Sequence, residues 1–148
     1  MRSRLTTVAV VGALIGACGG NAGGTPEIVG ARVGQPTGPN AALYFTAVAG
    51  DESDRLLGAR STVASDIQIH ETTIGVDGTM GMRRVEGLVL PAGETLMLEP
   101  GGPHLMLIDV ERLRLGDEVD FTLVWENGGE STISALVVEP GETMSHDG

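Results

Sequence analysis

The segment GGPHLMLIDV, residues 101–110, sets a histidine two residues ahead of a methionine among leucines. On a strand alternate side chains share a face, so His104 and Met106 point one way while Leu105 and Leu107 point the other. Upstream, DIQIH closes on His70, with Ile67 and Ile69 on one face and Gln68 and His70 on the opposite one. TMGMRR adds Met80 and Met82, again at a strand's period of two. The candidate set is His70, Met82, His104 and Met106: two imidazoles and two thioethers, without thiolate or carboxylate.

Ligand softness decides which ion such a set suits. Thioether sulfur is a poor ligand for zinc, calcium or magnesium but a good one for the soft cuprous ion, and imidazole serves both oxidation states of copper. Copper(I) is the consequence. A blue-copper electron carrier needs a cysteine thiolate beside its histidines, and the single cysteine, Cys18, lies close to the N-terminus. HETTI at His70 begins like a zinc-protease helix, yet Ile74 stands where the second histidine is required. The chain therefore reads as a binding protein and not as an enzyme. Taken singly, each residue has a plain structural explanation, since methionine often fills cores and a strand histidine is usually solvated. The set as a whole carries the signal.

These residues need strands to position them, and the rest of the chain supplies strand patterns. Runs such as AALYFTAVAG, RLLGA, SDIQIH, TMGMRRVEGLVL, GETLMLEPGG, HLMLIDV, DFTLVWENGG and STISALVV are separated by Gly- and Pro-rich junctions. No segment keeps a helical period and no internal repeat stands out. The pattern predicts an all-β domain, an antiparallel Greek-key sandwich of seven to nine strands. Phe121, Leu123 and Trp125 alternate inward on one late strand. With four aromatics in all, the core must be mainly Leu, Val, Ile and Ala.

Register imposes a further condition at VDGT. If Asp77 and Gly78 formed a two-residue hairpin turn, Val76 would pair with Thr79, and Met82 would lie opposite Thr73, on the face away from His70. A shared face for His70 and Met82 therefore requires an odd-length loop or a bulge between Ile74 and Met80.

The N-terminus has a different character. Arg2 and Arg4 precede an apolar run from Val8 to Ala17, far shorter than the ~20 residues of a spanning helix, so residues 1–17 read as a signal peptide. LIGAC resembles a lipobox, which makes Cys18 the lipidated residue and residues 18–26, with GGNAGG, a flexible tether. Residues 27–140 form the sandwich and residues 141–148 a tail. An exported domain without further cysteine has no disulfide and must be held by its core. The net charge is −11, and becomes −13 when Arg2 and Arg4 are lost with the signal, leaving seven basic against twenty acidic residues. Nucleic acid and anionic lipid are disfavoured as partners.

The stretch from His70 to Val110 resembles the periplasmic copper-chaperone family called PCuAC. Its motif is a histidine with an optional following methionine, ten residues, a methionine, twenty-one residues, and His-x-Met. Here Glu71 follows His70, ten residues precede Met82, twenty-one separate Met82 from His104, and Met106 closes the pattern. Glu71 in place of the optional methionine is the one departure. AALYFTAVAGDESDRLLGARSTVA and GDEVDFTLVWENGG extend the similarity over nearly the whole domain. The resemblance implies a cupredoxin-like sandwich that carries copper(I) outside the cytoplasm to the dinuclear copper centre of cytochrome c oxidase. Its partners would be oxidase assembly factors or the copper-centre subunit, with a lipid on Cys18 holding the carrier at the bacterial membrane. Two alternatives share the sequence: a copper-buffering or uptake lipoprotein without oxidase delivery, and a metal-free β-sandwich interaction module.

Other residues take lesser expectations. Met97 is expected to pack against a neighbouring strand, and Met80 to act as an auxiliary ligand or lip. Met144 and His146 in the tail form an inverted His-x-Met that could bind additional copper. Arg83 and Arg84 read as solvated edge charges or as contacts for an acidic partner.

Overall fold

The computed structural model describes residues 24–141; residues 1–17, expected above to be a signal peptide, and Cys18, Met144 and His146 lie outside the described residues. Ten strands follow in chain order: β1 (Glu27–Gly34), β2 (Ala41–Val48), β3 (Asp54–Arg60), β4 (Asp66–Ile74), β5 (Met80–Val85), β6 (Leu88–Leu90), β7 (Thr95–Leu98), β8 (His104–Ile108), β9 (Glu118–Trp125) and β10 (Gly129–Val138). They hydrogen-bond along one path, β5-β4-β8-β2-β1-β10-β9-β3-β6, with β7 also pairing β2.

Period-two alternation shows why these segments are strands. Leu43, Phe45 and Ala47 of β2 and Leu105 and Leu107 of β8 are buried, and share one apolar cluster with Phe121, Leu123 and Trp125 of β9 and Leu56, Leu88 and Leu90 of β3 and β6. The sheet thus closes over a core as an all-β sandwich, with Leu and Val prominent and Phe45, Phe121 and Trp125 in its interior. Each fully buried Leu, Val or Phe contributes about 1.5–3 kcal/mol. Among the described residues no helix is long and apolar enough to cross a membrane.

Three features depart from the sequence-based expectation. The sheet is mixed rather than wholly antiparallel, because β1 runs parallel to β10 with Arg32 opposite Leu136. β1 itself was not among the expected strands: its pairing with β2 shifts register between Val29 and Arg32, and that irregularity breaks the alternation. TMGMRRVEGLVL is two strands rather than one, since β5 pairs β4 while β6 crosses to β3. Gly87 lies at the crossing, where a Cβ would stand 2.5 Å from Arg55 Nε and 2.9 Å from the Leu56 carbonyl oxygen.

The turn between β9 and β10 is fastened from inside. The nearly buried carboxylate of Asp54 accepts hydrogen bonds from the backbone N–H groups of Asn127 (2.9 Å) and Gly128 (2.8 Å).

Candidate metal centre

Cross-strand register brings the four candidate residues to one face. In the β4–β8 pair His70 stands opposite His104 and Gln68 opposite Met106. In the β4–β5 pair Thr72 stands opposite Met82 and His70 opposite Arg84. Directly opposed residues share a face, as do residues two apart. His70, Met82, His104 and Met106 therefore all lie on the outer side of the sheet, away from Ile69, Leu105 and Leu107.

The hairpin that allows this has the odd length the register demands. Ile74 pairs with Met80, and the Gly75 N–H donates to the Thr79 carbonyl at 2.7 Å, so Val76, Asp77 and Gly78 form a three-residue turn. Gly78 has φ 80°, a left-handed conformation that costs other residues energy. Its N–H closes the turn on the Gly75 carbonyl at 2.9 Å. Asp77 Oδ1 accepts from the Thr79 hydroxyl (2.6 Å) and N–H (3.1 Å). These bonds hold the Asp77 carboxyl below the usual range.

The two imidazole centroids are 5.8 Å apart, with the rings tilted by 58°. A metal–imidazole bond of about 2 Å puts an ion roughly 3 Å from each ring centre, so this spacing allows one ion to reach both rings. His104 is only 5% exposed although it faces outward. Its Nδ1 lies 3.0 Å from the Gly102 carbonyl oxygen, which can only accept, so Nδ1 carries the proton and Nε2 the lone pair. His70 Nε2 is 3.1 Å from Gln68 Oε1, and Gln68 Nε2 is 3.0 Å from Asp66 Oδ2. His70 Nδ1 is buried without a hydrogen-bond partner. Burial pushes the His70 imidazole below its ordinary value, and the neighbouring His104 and Arg84 push the same way. The shift favours the neutral ring, the form a metal needs.

Beside the histidines lies a cleft of about 350 Å³, lined by Tyr44, Thr72, Met80, Met82, His104 and Met106 among others. Met82 (60% exposed) and Met80 (69%) form its open side. Tyr44, which sequence reasoning did not single out, stands 6.2 Å from the His104 ring, centroid to centroid. The Arg32 guanidinium carbon lies 5.4 Å from the centre of the Tyr44 ring. Burial raises the Tyr44 phenol above its ordinary value, against the opposing pull of Arg32. The alternation of AALYFTAV carries a signal for Tyr44, since it falls on the outer face with Ala42.

Met97 differs from expectation. It is 48% exposed on the outer face, opposite Thr46 of β2, while Leu96 and Leu98 turn inward. Position 71 is also turned away from the candidate centre: Glu71 alternates to the face opposite His70 and bonds Arg83 at 3.2 Å. Among the described residues no three or more His, Cys, Asp or Glu side chains come together as a metal-binding group. The donor set on this face is nitrogen and thioether sulfur.

Known proteins share this architecture. The copper-bound PCuAC domain of PmoF2 superposes with a TM-score of 0.66 at 30% identity, over 79% of this chain and 95% of that domain. Copper(I)-bound DR1885 from Deinococcus radiodurans gives 0.63 at 30% identity, over 78% of each chain. Fold and sequence together define a PCuAC-type domain. Residues 27–137 match the family described as "Putative lipoprotein LpqE-like", and the chain belongs to that LpqE-like family. "Putative lipoprotein Lxx21020" of Leifsonia xyli subsp. xyli is 37% identical over 84 residues, 55% of this chain. The alignment spans half of that relative's length.

Proposed function

We propose that this protein is an extracytoplasmic copper(I) chaperone that holds its cargo on His70, Met82, His104 and Met106. The observation that carries this reading is the convergence of all four side chains on one outer face, with a buried, unpartnered imidazole nitrogen among them. A buried polar atom without a partner costs free energy, and a bound ion would offset that cost. The copper-bound relatives support the choice of metal.

Neutral ligands suit a carrier. Thioethers form no disulfides, so the centre survives where a pair of cysteines would oxidise. Nitrogen and thioether donors also hold copper(I) less tightly than thiolates, so the ion passes downhill to a thiolate-containing acceptor. We take that acceptor to be the machinery assembling the copper centre of cytochrome c oxidase, with a lipid on Cys18 keeping the carrier at the membrane where assembly occurs. The lipoprotein names of the family and of its Leifsonia relative support the anchor.

Titration with copper(I) against a chromogenic chelator tests the core of the proposal: one copper(I) per chain is expected, and no competition with the chelator would refute it. Deleting the gene and assaying oxidase activity with and without added copper tests delivery. A Cys18→Ser variant found still in the membrane fraction would remove the anchor.

A further inference from the structure

We propose that Gln68, itself held by Asp66, is a positioning residue that fixes the proton of His70 on Nε2 and so makes Nδ1 the nitrogen offered to the metal, whereas His104 offers Nε2. This inference rests on the copper reading above. Asp66, Gln68 and His70 are at successive alternate positions of β4 and run along the face that carries the four candidate ligands.

Donor and acceptor chemistry leaves one consistent arrangement. A carboxylate accepts only, so the amide group 3.0 Å from Asp66 Oδ2 is the Gln68 NH2. The Gln68 carbonyl oxygen is then the atom 3.1 Å from His70 Nε2, and because it too only accepts, Nε2 must donate. A neutral imidazole has one N–H, which leaves the lone pair on Nδ1. That atom is the buried one without a partner. His104 has the opposite arrangement, its Nδ1–H committed to the Gly102 carbonyl at 3.0 Å. The two rings, 5.8 Å apart, therefore present different nitrogens. Glutamine at position 68 supplies both halves of the relay, a donor for Asp66 and an acceptor for His70, which alanine or leucine would not.

Long-range proton–nitrogen correlation spectra of the full chain labelled with nitrogen-15 in histidine test this directly. Silver(I), a redox-inert stand-in for copper(I), serves as the probe. The metal-free spectrum is expected to show His70 protonated at Nε2, and silver to shift Nδ1 of His70 and Nε2 of His104. In Gln68→Ala the single tautomer should give way to a mixture, and copper(I) affinity should fall by about 10–100-fold, the usual effect of losing a partner of a ligating histidine. The double change Asp66→Asn, Gln68→Glu exchanges donor for acceptor between the two positions at constant charge, and should restore most of the affinity. The Trp125 indole N–H, bonded to Ser131 at 3.2 Å, reports folding in each variant. A metal shift on His70 Nε2, or a Gln68→Ala variant with unchanged tautomer and affinity, overturns the inference while copper binding stands. Silver shifting neither histidine, with no copper bound by the parent, overturns the copper reading as well.

Discussion

His70 and His104 stand directly opposite each other on neighbouring antiparallel strands, with their rings 5.8 Å apart. Burial makes His70 costly to charge, and the His104 ring and Arg84, opposite His70 on the other side, add to that cost.

Acid should therefore act through His70 in a defined direction. Its value in the folded chain lies below its ordinary one, so the unfolded chain binds more protons once pH drops below about 6.5. The His70 contribution to stability is complete above that pH and is lost as pH falls through the lowered value. Denaturation midpoints between about pH 7.5 and 5 should decline less steeply in His70→Ala than in the parent. Copper(I) should stay bound to lower pH than a free imidazole would permit; affinity that is flat across this range would remove the histidines from coordination.

The two kinds of ligand should separate by oxidation state. Met82→Leu and Met106→Leu should weaken copper(I) far more than copper(II), because thioethers favour the softer ion. His70→Ala and His104→Ala should weaken both. Paired affinity measurements on the four variants check this, and unaltered copper(I) binding in both leucine variants would defeat the proposed centre.

His104→Ala should also cost stability, although its side chain faces away from the core. It is 5% exposed and donates to the Gly102 carbonyl, so truncation leaves that acceptor unpaired, a loss of about 1–3 kcal/mol. Met82→Leu, at a 60% exposed position, should leave the denaturation midpoint nearly unchanged.

Deleting Val76 tests the register. The shortened turn would hold Asp77 and Gly78 alone with Gly75 still paired to Thr79, so Thr72 stays opposite Met82 and Met82 keeps the face of His70. Copper(I) affinity should therefore stay close to that of the parent, and a fall to the level of a Met82 variant would overturn this register; the buried core, to which the hairpin gives Ile69 with Ile67 and Val85 packed against it, keeps its thermal transition.

Asp54→Ala should affect stability alone. Losing two charge-assisted bonds at the β9–β10 turn should cost about 3 kcal/mol or more in chemical denaturation, with copper(I) affinity of the folded protein unchanged. A shift in affinity would connect that turn to the metal face.

How far the fold could be read from the sequence depended on how local each signal was. Period-two alternation assigned His70, His104 and Met106 to the face opposite Ile69, Leu105 and Leu107, and the need for an odd turn between Ile74 and Met80 followed from counting. The parallel pairing of β1 with β10 joins the two ends of the domain, and no local pattern announces it. Met97 went astray because methionine among leucines reads as core, whereas pairing with Thr46 sets its face. The burial of His104 was equally hidden, since the cleft it lines together with Pro100, Gly101 and Tyr44 exists only in three dimensions. Gln68 was visible on the His70 face, but its bonds to Asp66 and His70 required coordinates.

The apolar cluster includes none of the four candidate ligands. A core that stands apart from the candidate centre needs no metal to fold, unlike a small zinc domain that collapses without its ion. For the proposed carrier the empty form would thus remain folded and ready for the next ion, and bound copper would add its binding free energy to a core that already stands.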